Sequence, residues 1–203
     1  MEFSKEFKQA LSAFSSKEKD KLIFRLLKKD RILSHRLYFE LIDPETTDEK
    51  RSQMEAKIRD LVPEVCRRYG KTKYLLTQIR KLSGSITEHV KITTDKFGEV
   101  SLNLLLVTLV LEAAPNYGNT YKLHVYLLNK IFRTLVLTQK LDPDYLLELR
   151  EPFESLKKSI LRNEDFKELA WDQGLDMRWL DPDEIPEHMD LLLKDLRAQG
   201  LLR

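Results

Sequence analysis

The chain has 203 residues, of which 42% are hydrophobic and 33% charged, with six glycines, seven prolines and one cysteine. These proportions suit a folded chain with a sizeable core and exclude a disordered or collagen-like one; the lone thiol excludes an intramolecular disulfide and a cysteine-based zinc cluster. Net charge is +2, yet residues 1–100 carry 22 Lys and Arg against 16 Asp and Glu, while residues 101–203 carry 13 against 17.

Phe3, Phe7, Ala10, Leu11 and Phe14 recur at helical spacing and predict a first amphipathic helix. Ser15 with Glu18 has the spacing of a capping box and starts a second, which buries Leu22, Ile23, Leu26 and Leu27. Asp30 caps a third, carrying Leu33, Leu37, Phe39 and Leu41. After the break at Asp43-Pro44-Glu45, Thr46 with Glu49 forms another capping box. The next helix carries Ile58, Leu61, Val62, Val65, Cys66 and Tyr69, and ends at Gly70, with a kink or split expected at Pro63. Cys66 lies on the apolar stripe and reads as a buried, inert thiol.

Leu75, Ile79, Leu82, Ile86 and Val90 predict the following helix. From Val90 to Leu102 a hairpin competes, because Val90, Ile92 and Thr94 alternate with polar residues; helix is the favoured reading. Leu102–Leu111 is apolar almost all round, as a central helix should be; the longest apolar stretch, Leu102–Ala114, is interrupted by Asn103, Thr108 and Glu112 and is too short for a bilayer, which needs roughly 20 residues. Ala114–Asn119 is a turn, and Tyr121–Leu141 another broadly apolar helix. Asp142-Pro143-Asp144 begins the next helix, which buries Leu149, Phe153, Leu156 and Ile160. Gly174-Leu175 ends a further helix, Asp181–Pro186 is a loop, and a last helix holds Met189, Leu192, Leu193 and Leu196.

These elements predict an all-α fold: one domain, 1–203, of about eight to ten packed helices. The lengths of successive helix pairs suit a helical-repeat arrangement, although no residue signature repeats at a fixed period. The N-terminus lacks the apolar run of a signal peptide, so a cytoplasmic protein that does not enter a membrane is expected.

Little catalytic chemistry is legible. Gly70-Lys71-Thr72 resembles the end of a phosphate loop, but the glycine required five positions earlier is Val65. His35, His89, His124 and His188 lack the paired spacing of a helical zinc site. The acidic pairs are the one enzymatic hint. Magnesium-dependent helical pyrophosphohydrolases use E-x-x-E and E-x-x-D pairs; Glu148 and Glu151 match the first, while Asp165 and Glu168 reverse the second. No cofactor is expected on the leading reading, and magnesium is on this one.

Two features bear on partners. Arg67, Arg68, Lys71, Lys73, Arg80 and Lys81 form a basic stretch, with Lys73 and Arg80 on one helix face. Such a face suits phosphate backbones, but the near-neutral total charge argues against nucleic acid. Residues 163–190 hold ten acids against Lys167 and Arg178, with Trp171 and Trp179 among them as interface or core anchors.

Leu22-Ile23-Phe24-Arg25-Leu26-Leu27-Lys28-Lys29-Asp30, Leu37-Tyr38-Phe39-Glu40-Leu41 and Ile86-Thr87-Glu88-His89-Val90-Lys91 resemble an all-helical bacterial family of unknown function. The resemblance implies an all-helical fold over most of the chain and transfers no catalytic motif. Some members carry a deoxyuridine-triphosphate hydrolase label; this chain lacks the glycine-rich strands of the β-rich enzymes of that name. The reading that follows is a protein-interaction or scaffold domain that binds a protein partner or itself. Nucleotide hydrolysis at Glu148 and Glu151, and nucleic-acid binding at the basic face, are the alternatives.

Overall fold

A computed structural model describes residues 2–68, 70–114 and 119–202. The expected helix end at Tyr69 and most of the expected 114–119 turn lie outside the described residues. Among those described there are ten α-helices and no strands.

The first three helices start where the side chains dictate. In α1 (Lys5–Ser12) the Ser4 hydroxyl accepts from the Phe7 N–H. In α2 (Ser16–Leu27) Ser15 and Glu18 complete a reciprocal capping box. In α3 (Arg31–Leu41) Asp30 accepts from the Leu33 N–H at 3.0 Å. Thr46 and Glu49 form the second capping box, at 2.7 and 3.2 Å, and open α4 (Thr47–Arg68). Helix α4 runs through Pro63 without splitting.

The stretch 90–102 is a helix–turn–helix. Helix α5 (Thr72–Thr93) ends at Thr94 in the left-handed region (φ 57°), and Asp95 caps α6 (Lys96–Ala113) through the Gly98 N–H at 2.8 Å. Helix α7 (Tyr121–Thr138) follows. Asp142 and Pro143 then start a short 3-10 turn leading into α8 (Leu146–Arg162). Asn163 caps α9 (Glu164–Asp172), which ends at Gly174 with φ 82°. Two 3-10 turns precede α10 (Met189–Ala198).

Helices α4 to α9 alternate between two layers. In one layer α4 packs on α6 and α6 on α8; in the other α3 packs on α5, α5 on α7 and α7 on α9. Helix α6 is central, touching α4, α5, α7 and α8, which explains its lack of a polar face. Leu104, Leu106 and Leu111 are buried, whereas Leu105 and Leu109 are half-buried and line a groove between α4, α6 and α8.

One apolar cluster runs through α4–α10 and takes no residue from α1–α3. Those first helices bury no residue, although their spacing predicts buried stripes. Among the described residues their substantial packing is α2 on α3 and α3 on α5. Arg31 adds an ion pair to Glu88 of α5 at 2.6 Å. No described helix is long and apolar enough to cross a membrane.

Candidate functional site

The acidic candidates separate in space. Glu148 and Glu151 of α8 line the α4–α6–α8 groove, a cavity of ≈ 530 Å³, with Glu55, Glu112, Arg51 and Arg59. Asp165 lines a second cavity at the α8–α9 junction, and Glu168 a third beside Trp171. The E-x-x-E and D-x-x-E pairs therefore do not face one another. Among the described residues no three His, Cys, Asp or Glu side chains come together as a metal site. Glu112 is instead engaged by the Ser159 hydroxyl, which donates to it at 2.8 Å. Glu55 and Glu112 joined the groove without any sequence signal, because they come from other helices.

The basic stretch divides too. Lys71, Lys73 and Arg80 line a shallow cavity of ≈ 710 Å³ at the start of α5, joined by Lys122 of α7. Lys73 and Arg80 thus share a face, as their spacing predicts. The Arg80 guanidinium lies 5.4 Å from the Tyr126 ring centre. Arg67, Arg68 and Lys81 do not line this cavity; Arg67 donates back to the Pro63 carbonyl and Arg68 approaches Glu64 at 3.8 Å. No ion pair among the described residues joins the 67–81 stretch to the acidic 163–190 stretch. The acids pair elsewhere instead: Asp176 with Arg178, Asp190 with Lys194, and Asp183 with Arg150 of α8.

A polar cluster forms around the half-buried Arg51 and the buried Asp95 and His89, where α4, α5 and α6 meet. The His89 Nε2 lies 3.9 Å from Asp95 and has no hydrogen-bond partner among the described residues. His89 and His35 both line a cavity of ≈ 460 Å³ between α3, α4 and α5. Lys130 of α7 donates to the Asn103 amide oxygen at 2.8 Å; burial, with Arg133 nearby, pushes its ammonium down to about 8. Burial likewise pushes the Cys66 thiol up to about 11, as expected of an inert thiol.

The two tryptophans part company. Trp179 is half-buried and meets Phe132 edge-on, with ring centres 6.5 Å apart. Trp171 is 75% exposed on α9, beside a cavity of ≈ 390 Å³ lined by Leu161, Met177, Lys167, Glu168 and Asp172.

The largest apolar exposure lies elsewhere, on the N-terminal arm. Ten of the seventeen exposed large apolar side chains among the described residues fall within the first 42 positions. Phe3 and Phe7 stack with ring centres 5.3 Å apart, and Phe24 is 62% exposed. Isolated exposed apolar residues are ordinary, whereas their concentration in one short segment is what an interaction surface presents. The stripe was visible in the sequence. What covers it was not, because periodicity reports an apolar face and not the chain that packs against it.

Comparison with protein-family models, curated proteins and solved structures finds no match.

Proposed function

We propose that this chain is a protein-interaction domain, with α4–α10 as a folded platform and α1–α3 as a docking arm. The observation that carries the reading is the arm's apolar face: three helices with cap-defined starts and amphipathic spacing that bury no residue. Apolar surface left in water costs about 25 cal/mol per Å², so a maintained apolar face finds its stabilisation in a partner. The alternating layers of α4–α9 support a scaffold role, since helical-repeat proteins stack in this manner and bind along extended surfaces.

The test is a paired capture experiment. Immobilised chain is compared with a Phe7→Ser, Phe24→Ser variant in extracts of the cells that make it, and each retained protein is purified and rebound. A defined protein that binds the parent chain and loses affinity for the variant supports the reading. Equal binding to both, with helical content unchanged, overturns it.

A further inference from the structure

Two exposed aromatic side chains sit in opposite electrostatic settings. On α2, Phe24 has Lys21 three positions before it and Lys28 four after, which places both lysines on its side of the helix. On α9, Trp171 stands beside an apolar slot whose rim carries Glu168 and Asp172 with Lys167, the lysine being paired to Glu164. The wider surroundings follow the same signs. Residues 2–42 hold ten Lys and Arg against six Asp and Glu, net +4, while residues 163–190 hold two against ten, net −8.

Resting on the arm's role as the docking element, we infer that its partner is a second copy of this chain, with Phe24 of one copy seated in the Trp171 slot of the other. Three observations support this occupant. The charges complement: Lys21 and Lys28 meet Glu168 and Asp172, which steers encounter and fixes register. The exposed area is substantial: Phe3, Phe7, Phe14 and Phe24, 41–62% exposed, with Ile23 and Leu26 offer roughly 500 Å² of apolar surface, over half of the about 800 Å² per partner of a standard interface. Within one chain the arm's substantial packing reaches only α5, through α3, while α9 packs on α7 and α8. The contact is heterologous. Made reciprocally it closes a pair, and made in one direction it propagates a chain of copies.

The test uses the full chain in sedimentation velocity from low to high micromolar concentration, at low and high salt. Mass should rise with concentration and fall back with salt, because screening weakens exposed charge pairs. Tryptophan emission should shift to shorter wavelength as mass rises, and Trp171→Ala should remove the shift. Lys21→Glu with Lys28→Glu, and separately Glu168→Lys with Asp172→Lys, should each weaken association about tenfold or more. All four positions are on the surface, and circular dichroism checks that each variant folds. Mixing the two reversed variants should restore association, since one then offers an acidic arm and the other a basic slot. A chain that stays monomeric throughout, or variants that associate like the parent, would overturn the inference. If the chain is monomeric yet the arm still captures a different protein, this inference fails and the interaction reading stands; if nothing binds the arm, both fail.

Discussion

Arg51 and Asp95 form a two-point pair across 44 positions of sequence: Arg51 Nε donates to Asp95 Oδ2 at 2.7 Å and Nη2 to Oδ1 at 3.1 Å. The same carboxylate caps α6, so one side chain fixes the start of the central helix and ties it to α4. Arg51 also lies 4.7 Å from the Phe97 ring centre, which covers the pair from one side.

Acid should loosen this joint in a defined window. Burial raises the Asp95 carboxyl, but the bonds from Arg51 and the Gly98 N–H, with the His89 ring 3.9 Å away beyond bonding distance, outweigh it and hold it at about 2. A carboxyl depressed from its ordinary value near 4 stabilises the fold fully above that value and loses its contribution as pH falls through about 2. Asp95→Asn should cost about 2 kcal/mol at neutral pH and flatten the stability profile between about pH 4 and 2, as read from denaturant melts. A profile of unchanged slope would exclude Asp95 as the source.

Gly98 is required by the same joint. A Cβ at this position would lie 2.1 Å from Asp95 Oδ2. Replacing an interior helical glycine with alanine ordinarily gains about 1 kcal/mol. Here Gly98→Ala should destabilise instead, because the carboxylate it displaces is pinned by Arg51. In an Asp95→Ala background the penalty should disappear, and a double-mutant cycle measures the difference.

Lys130 predicts the opposite pH trend. Its ammonium is held at about 8 against an ordinary value near 10.5. The unfolded chain therefore binds more protons between about pH 8 and 10.5, and stability should rise through that range. Lys130→Met should remove the rise and stabilise the chain at neutral pH by about 2 kcal/mol, less the lost bond to Asn103. Thermal melts across that range, parent against variant, are the measurement.

Within α6 the neighbours Leu105 and Leu106 should differ. Leu106 is fully buried, so Leu106→Ala should cost about 2–5 kcal/mol. Leu105 lines the groove, so Leu105→Ala should cost about 1 kcal/mol or less. Equal losses in urea melts would mean that the groove is closed in solution.

Helix starts were the most legible part of this fold, because a cap is a local contract between a side chain and an N–H two or three residues on. Ser15, Asp30 and Thr46 all lie where such contacts form. The competing hairpin at 90–102 lost to Asp95 and Thr94, whose roles depend on a left-handed turn that alternation alone does not reveal. The candidate sites were less legible. Glu148 and Glu151 share a groove with Glu55 and Glu112, an association created only when α4, α6 and α8 pack. Trp171 and Trp179 are eight positions apart, and only the chain reversal at Gly174 and the 3-10 turns turns one inward and leaves the other in water.

The arm's position outside the apolar cluster also divides the molecule kinetically. Helices α1 and α2 span 8 and 12 residues, a length at which an isolated helix is marginal in water. Their amides should exchange with solvent orders of magnitude faster than those of α6, through openings that leave the platform intact. Denaturant slopes for the main transition should then report α3–α10. Occupation of the arm should register first as slowed amide exchange in residues 5–27, before any change in the melting of the rest.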